Sequence, residues 1–290
     1  MSRPTIRLAG GFRFPSFLLL AALLALLLAA GPTPGDAAQP APAPYRSVRS
    51  SSLVAPQQAA AVAVERAPDL AALDAYFAQA REVWPVPGFS VAIVKDGRIV
   101  FEKGYGVRDA AQGGNADEHT MYAIASNSKA FTAAALATQV DEGRISWDDR
   151  VVDHLPWFEL YDPYVTREMR IRDLLSHRAG LGTYSGDLLW YGTPYSAEDI
   201  VRRARYLPPA YPFRAGYGYT NLMFITAGEV LRAVSGNGWH DFVEERFFDP
   251  LGMDRSVTSV SDLALLDNVA TPHKNDRGEV IPIAWFNWRA

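Results

Sequence analysis

The chain has 290 residues, of which 49% are hydrophobic and 21% charged, and it contains no cysteine. This composition is typical of a globular protein, and the lack of cysteine excludes a disulfide scaffold, a thiol nucleophile and metal sites with cysteine ligands. The net charge of −4 argues against a nucleic-acid-binding protein, which normally carries a basic excess. The sequence has no GxxxxGK[ST] phosphate loop and no HExxH zinc motif, so we expect no cofactor.

Residues 1–31 have the pattern of a secretory signal peptide. Three arginines precede an apolar run of phenylalanine, leucine and alanine over residues 17–30. This run is short for the hydrocarbon core of a bilayer, which favours a cleaved signal over the alternative of an uncleaved anchor. The small residues allow cleavage after either Gly31 or Ala38. We therefore expect an exported protein, periplasmic or secreted, that meets the membrane only through this segment.

Residues 32–66 are rich in alanine, proline, serine and glutamine and show little hydrophobic periodicity. This composition is typical of a linker, so the folded domain is predicted to cover residues 67–290. The domain is predicted to begin with a helix over residues 69–81, where apolar residues recur at helical spacing behind Asp69 as a possible N-cap. Nothing in the sequence defines an oligomeric state.

Two β-like segments, residues 88–95 and 98–104, flank the dipeptide Asp96-Gly97, which is a strong hairpin signal. Residues 129–142 are apolar on nearly all sides and predict a buried helix, with Gly143 as its C-cap. Further elements are predicted as helices over residues 171–175, 197–206, 221–234 and 240–248, and as strands over residues 269–273 and 280–285. Because a two-stranded hairpin alone is marginal in water, the short strands of the tail predict an incomplete sheet.

Ser126 and Lys129 stand at the start of the apolar helix. Residues three apart share one side of a helical turn, so the lysine amine can reach the serine hydroxyl. The positive end of the helix dipole and an apolar environment both favour the neutral amine, which is the form that accepts a proton from a serine nucleophile. The alternative is that Ser126 caps the helix and Lys129 is solvated.

Tyr219 and Asn221 form a second candidate pair at the start of another predicted helix. A phenol beside a cationic lysine loses its proton more easily and can relay it to a leaving group. The asparagine amide can hold both a lysine and a substrate carbonyl. The alternative is a core tyrosine followed by an N-capping asparagine, and either motif alone is weak.

Four segments together resemble the serine β-lactamase and penicillin-binding-protein superfamily, on the branch of class C β-lactamases, D-Ala-D-Ala carboxypeptidases and related esterases. They are Tyr122-Ala-Ile-Ala-Ser126-Asn-Ser-Lys129, Ile171-Arg-Asp-Leu-Leu-Ser-His177-Arg-Ala-Gly180-Leu181, Gly216-Tyr-Gly-Tyr219-Thr-Asn221 and Pro250-Leu-Gly252-Met253. The resemblance runs from about residue 70 to the end of the chain. It implies an α/β (α+β) fold of the β-lactamase/transpeptidase-like type, with an antiparallel sheet flanked by helices and a mostly helical subdomain.

The resemblance also implies a role for each matching residue. Ser126 would be the nucleophile that becomes acylated, and Lys129 would activate it. Tyr219 would act as acid and base in acylation and deacylation, and Asn221 would position the substrate amide or ester. The backbone N–H of Ser126 would be one oxyanion donor. His177 is expected to belong to a structural turn rather than to act as a base.

The sequence departs from the family at a third motif, Lys-Thr-Gly or His-x-Gly, which lies on a late strand and supplies the second oxyanion N–H. Lys95-Asp-Gly97 has the same spacing but forms the predicted hairpin turn, and none of the five histidines begins a His-x-Gly. We therefore expect a chain truncated at its C-terminal end. Loss of one oxyanion donor costs about 10²–10³ in rate, so we expect little or no activity from it.

Three functions remain open at this stage. The first is an exported serine hydrolase that forms an acyl-enzyme on β-lactams, D-amino-acid peptides, peptidoglycan-derived ones included, or small esters. The second is a non-catalytic relative that binds such ligands, and the third is an inactive fragment. The expected partner is a small molecule or peptide, and not a nucleic acid.

Overall fold

The structure, a computed structural model, describes residues 69–263 and 265–285. The predicted signal peptide and linker, residues 1–31 and 32–66, lie outside the described residues. The helices are α1 (Leu70–Val83), α2 (Ser128–Asp141), α3 (Val151–His154), α4 (Pro163–Glu168), α5 (Ile171–Leu174), α6 (Asp187–Trp190), α7 (Ala197–Arg203), α8 (Leu222–Ser235), α9 (Trp239–Val243), α10 (Asp249–Leu251) and α11 (Val260–Leu263). The strands are β1 (Gly88–Lys95), β2 (Arg98–Asp109), β3 (Gly113–Asn115), β4 (His273–Asp276) and β5 (Glu279–Pro282). Short 3₁₀ turns cover Ala125–Asn127 and Ala204–Tyr206, and a π-helical turn covers Glu244–Phe248.

Helix α1 begins as predicted, because the Asp69 carboxylate accepts a hydrogen bond from the N–H of Ala72 at 3.0 Å. The helix lies against β2, where Asp74 accepts hydrogen bonds from Lys103 at 2.8 Å and from the Tyr105 hydroxyl at 2.7 Å. These contacts fix α1 on the first sheet.

The predicted hairpin is confirmed. Strands β1 and β2 pair antiparallel, and the turn residues Asp96 and Gly97 have φ of 51° and 71°. Positive φ at both positions is the requirement of a two-residue type I′ turn, which Asp-Gly meets at low cost. Strand β2 runs on to Asp109, beyond the predicted end, and pairs there with β3. The first sheet therefore has the order β1-β2-β3.

The core lies in the helical part of the chain and centres on the packing of α2 against α8. Helix α2 buries one stripe, Thr132, Ala135, Leu136 and Gln139, at the spacing of a single helix face. Most of its other side chains are only half-buried, so the prediction of burial on nearly all sides is wrong. The helix therefore buries one face, although apolar residues occur around most of its circumference.

The predicted strand over residues 269–273 is also wrong. Strand β4 begins at His273, directly after Pro272, which has no N–H to donate to a ladder. It pairs with β5 through a turn in which Arg277 and Gly278 both have positive φ, 57° and 97°. The two tail strands form a separate two-stranded sheet instead of extending β1-β2-β3.

The residues before β4 hold the segment that leads to Ser126. Val269 forms a parallel bridge with Met121, whose N–H donates to the Asn268 carbonyl at 2.9 Å. The Asn268 side chain accepts from the Thr120 hydroxyl at 2.9 Å and donates to Asp117 at 2.7 Å. The tail therefore supports the chain just before the candidate nucleophile.

Small antiparallel sheets flanked by helices, next to a mostly helical region, confirm the predicted fold class. Within residues 69–263 and 265–285, no helix has the length and apolar character needed to cross a bilayer.

Candidate active site

Ser126 lies in the 3₁₀ turn that leads into α2, and its side chain is exposed. The preceding residue, Ala125, has φ of 46°, which is the left-handed region that a residue with a Cβ rarely adopts. This strained turn places the Ser126 hydroxyl at the positive end of α2, where developing negative charge is stabilised.

Lys129 lies one turn further along and is half-buried. Its Nζ donates hydrogen bonds to Ser126 Oγ at 3.1 Å and to Asn221 Oδ1 at 2.7 Å. The same Nζ lies 4.9 Å from the ring centre of Tyr219 and 5.3 Å from that of Phe224. Besides Ser126, the amine thus has two aromatic rings and an amide oxygen as neighbours.

Tyr219 and Asn221 come from the loop that enters α8. The Tyr219 hydroxyl lies 2.5 Å from Ser126 Oγ, a hydrogen-bond distance. Asn221 occupies the N-cap position of α8, but its side chain forms no capping hydrogen bond and faces Lys129 instead. The alternative interpretation of Asn221 as an N-cap is thus correct for its position, but the side chain does not cap the helix.

All four predicted site residues, Ser126, Lys129, Tyr219 and Asn221, lie in one connected hydrogen-bonded cluster. The contacts form a chain from phenol to serine to amine to amide. In this arrangement the serine hydroxyl contacts both a proton acceptor and a second proton carrier.

The electrostatics of the cluster act on the Tyr219 phenol. Burial raises its pKa, but hydrogen bonding to Lys129 and Ser126 and the positive charge of Lys129 outweigh that effect. The negative charge of Asp187 raises the pKa slightly in return. The net result is a Tyr219 pKa below the ordinary value for a tyrosine, so this phenol gives up its proton more easily than an exposed one.

His177 packs against the segment that carries Tyr219. Its Nδ1 accepts a hydrogen bond from the N–H of Thr220 at 3.2 Å, and its carbonyl accepts from the N–H of Gly218 at 2.9 Å. The imidazole stacks on the Tyr219 ring at 4.6 Å between ring centres. Burial, followed by the charge of Lys129, lowers the pKa of His177, which favours the neutral ring that can accept this bond. These contacts agree with the expected structural role.

Gly218 allows this close packing. A Cβ at position 218 would lie 2.1 Å from the Leu181 carbonyl oxygen, so any other residue would push the two loops apart. A backbone hydrogen bond also joins the two loops, because the N–H of Tyr184 donates to the Tyr219 carbonyl at 2.7 Å. The loop after His177 is thereby joined to the backbone of the Tyr219 segment.

Asp187 is a polar residue of the site that the sequence analysis missed. Asn221 Nδ2 donates to both of its carboxylate oxygens at 3.2 Å. In the sequence, Asp187 resembles an ordinary first-turn acidic residue of a short helix, and no motif links it to Asn221. Among residues 69–263 and 265–285, no group of three or more potential ligands is arranged to hold a metal ion.

The fold and this cluster define a serine hydrolase-like architecture, and comparison with known families agrees. The chain belongs to the beta-lactamase family, whose profile matches residues 73–290. The resemblance drawn from the four sequence segments is therefore confirmed.

Individual relatives add detail. The chain is 36% identical to the "Unguisins hydrolase ungD'" of Aspergillus campestris over 193 residues, and this alignment covers 63% of this chain and 35% of that protein. It is 29% identical to "Penicillin-binding protein 4" of Amycolatopsis lactamdurans over 199 residues, and this alignment covers 67% of this chain and 50% of that protein. Among solved structures, the octameric penicillin-binding protein homologue from Pyrococcus abyssi is 25% identical with a TM-score of 0.65, covering 74% of this chain and 50% of that one. The chain thus spans about a third to a half of the length of these relatives.

Proposed function

We propose that this protein is an exported serine hydrolase that forms an acyl-enzyme on Ser126. The observation that supports this most directly is the position of Ser126 Oγ, which contacts Lys129 Nζ at 3.1 Å and the Tyr219 hydroxyl at 2.5 Å. The hydroxyl is also exposed, so a substrate carbonyl can approach it.

In the proposed acylation, neutral Lys129 accepts the Ser126 proton while Oγ forms a bond to the substrate carbonyl carbon. The carbonyl electron pair moves onto oxygen, where the N–H of Ser126 and the end of α2 stabilise the charge. The bond to the leaving group then breaks, and the Tyr219 phenol donates the proton that the departing nitrogen or oxygen requires.

In the proposed deacylation, the Tyr219 phenolate takes a proton from water while the water oxygen bonds to the acyl carbon. The bond between that carbon and Ser126 Oγ then breaks, and protonated Lys129 returns its proton to Oγ, which restores the serine hydroxyl, the phenol and the neutral amine. The net reaction converts an amide or ester and water into a carboxylic acid and an amine or alcohol. Asn221 holds Lys129 in place through its carbonyl and offers an amide N–H to the substrate carbonyl.

The proposed substrates are β-lactams, D-amino-acid peptides, peptidoglycan-derived peptides among them, and small esters. The hydrolase and penicillin-binding-protein names of the relatives support this range. A phosphonate probe tests the first step alone, because it reacts with an activated serine whatever the acyl group.

The deciding experiment incubates the purified chain with a fluorophosphonate and, separately, with benzylpenicillin, and locates the adduct by mass spectrometry. We expect the adduct on Ser126, its loss in S126A, and its retention in S128A, which removes the neighbouring serine at the start of α2. Circular dichroism confirms that each variant is folded. A folded wild-type chain with no adduct on Ser126 overturns the proposal and favours a non-catalytic ligand-binding relative or an inactive fragment.

Export is tested separately. Expression with the native N-terminus in a host with a secretory pathway should give a mature protein outside the cytoplasm that begins after Gly31 or Ala38. An intact N-terminus on protein recovered from the cytoplasm would contradict export, and an intact N-terminus in the membrane fraction would indicate an anchor.

A further inference from the structure

We infer that Asp187 is a positioning residue that fixes the orientation of the Asn221 amide and, through it, the Lys129 amine beside Ser126. This inference rests on the proposed function, in which Lys129 activates Ser126. It assigns to Asp187 a role that neither the motifs nor the comparisons define.

The first argument is the direction of each hydrogen bond. Asn221 Nδ2 donates to both oxygens of Asp187 at 3.2 Å, and Asn221 Oδ1 accepts from Lys129 Nζ at 2.7 Å. A carboxylate only accepts, and Lys129 Nζ has N–H groups to donate to Asn221 in both its amine and its ammonium form. If the amide were turned over, its NH₂ would face these N–H groups and its oxygen would face the Asp187 carboxylate. Both contacts would then be repulsive, so the two neighbours select the same orientation.

The second argument is that Asp187 is itself held in place. Trp190 Nε1 donates to Asp187 Oδ1 at 3.0 Å, and the Asp187 side chain is half-buried. The Asp187 N–H donates to the Tyr184 carbonyl at 3.1 Å, and the Tyr184 N–H donates to the Tyr219 carbonyl. The carboxylate is thus anchored to the same segment whose amide it orients.

The third argument is the turn that leads to Asp187. Gly186 has φ of 84°, and a Cβ there would lie 2.8 Å from a methyl carbon of Leu207. Glycine adopts this φ without strain and leaves room for Leu207. The turn places Asp187 at the start of α6, where its carboxylate lies within 3.2 Å of Asn221 Nδ2.

The consequence concerns substrate binding as well as proton transfer. With one amide hydrogen shared between the two oxygens of Asp187, the second hydrogen of Asn221 remains available to a substrate carbonyl. Without Asp187, the amide can rotate, and Lys129 loses a fixed acceptor that holds it 3.1 Å from Ser126 Oγ. Misplacement of a reacting group by about 1 Å can cost roughly 10²-fold in rate.

The experiment compares the rate of fluorophosphonate labelling of Ser126 in the wild type, D187A and D187N. We expect D187A to label about 10- to 100-fold more slowly while remaining folded. D187N should be intermediate, because it keeps one acceptor oxygen but places an NH₂ against that of Asn221. D249N is the matched control, since Asp249 is also the first residue of a short helix, α10, and is exposed. It should label at the wild-type rate.

A second measurement does not depend on activity. The side-chain NH₂ signals of the seven asparagines are recorded by NMR on protein made with isotope-labelled asparagine, and Asn221 is assigned with N221D. In D187A the Asn221 signals should move toward those of exposed asparagines and exchange faster with water. Unchanged Asn221 signals in D187A overturn the inference.

The two measurements separate the two hypotheses. A labelled wild type whose D187A variant labels at the same rate overturns the positioning role and leaves the proposed function intact. A folded wild type without label overturns the proposed function, and the NMR result then decides whether Asp187 orients Asn221. A slowed D187A with displaced Asn221 signals supports both.

Discussion

The hydroxyl of Tyr219 lies 2.5 Å from the hydroxyl of Ser126, although 93 positions separate them in the chain. A contact this short between two hydroxyls lets one proton be shared or passed between them. Because Lys129 Nζ also contacts Ser126 Oγ, at 3.1 Å, the serine oxygen lies within hydrogen-bond distance of two proton carriers. The chemistry of the site depends on how easily each carrier changes its protonation state.

The first prediction concerns the acidity of Tyr219. Its pKa lies below the ordinary value of about 10, since the contacts with Lys129 and Ser126 outweigh the effect of burial. The phenolate fraction grows as the pH rises through the pKa, so this tyrosine should ionise below the ordinary value of about 10. The difference between the ultraviolet titration curves of the wild type and Y219F isolates its transition, and Y217F, which removes an exposed tyrosine, is the control substitution. A Tyr219 transition at or above about 10 would contradict the prediction.

The second prediction concerns the amine. Replacing Lys129 by methionine should slow phosphonate labelling of Ser126 by about 10²–10⁴-fold, which is the usual contribution of a positioned base. Arginine should not restore the rate, because the guanidinium does not deprotonate in proteins. K274M removes an exposed lysine of β4 and should label normally. Labelling of K129M at the wild-type rate would exclude Lys129 as the activating base.

The third prediction concerns the strained turn before the nucleophile. A125V places a β-branched residue at φ of 46° and should lower the free energy of unfolding by about 1–3 kcal/mol, whereas A125G adopts this φ without strain. Urea unfolding measures both. A130V, in the first turn of α2, is the control and should cost less than about 1 kcal/mol, since only helix propensity changes. Equal losses of unfolding free energy in A125V and A130V would mean that a β-branched side chain adds no strain at position 125.

The fourth prediction concerns the ion pair between α5 and the loop that leads to Tyr219. Arg214 donates from Nη2 and Nε to the two oxygens of Asp173 at 2.6 and 2.9 Å, and the Asp173 side chain is only 8% exposed. D173N should therefore lower the free energy of unfolding by about 2–3 kcal/mol. That value lies below the roughly 3–5 kcal/mol of fully buried pairs because Arg214 is partly solvated.

Asp153 provides the comparison for this pair. Its carboxylate contacts Arg150 at 2.9 Å with both side chains about half exposed, so D153N should lower the free energy of unfolding much less than D173N does. The same urea measurement serves for both variants. A D173N variant no less stable than D153N would show that the Asp173–Arg214 pair does not hold the two segments together.

Local signals in the sequence were sufficient for several elements. Asp96-Gly97 predicts its hairpin because the dipeptide itself meets the backbone requirement of the turn. Asp69 predicts the start of α1 because the cap and the N–H it binds are three residues apart. The spacing of Ser126 and Lys129 likewise predicts their contact, since one helical turn brings them together.

Other features depend on contacts between distant segments and leave no local signal. Asn221 occupies a position typical of a cap, yet Lys129 and Asp187 engage its side chain from two other segments. Strand β3 is only three residues long and contains two glycines, so nothing in its composition indicates a strand. For the tail, the apolar residues from 269 onward indicate a strand, but Pro272 delays the ladder until His273.

The bridge between Met121 and Val269 joins positions about 150 residues apart, so the segment before Ser126 gains its neighbour only after those intervening residues have been made. A nascent chain that has not yet released residue 270 from the ribosome lacks the hydrogen bonds on both sides of Met121. Long-range pairings of this kind form slowly, because the entropy of closing the loop must be lost first. The turn that carries the nucleophile is therefore secured only after residue 270 has been made.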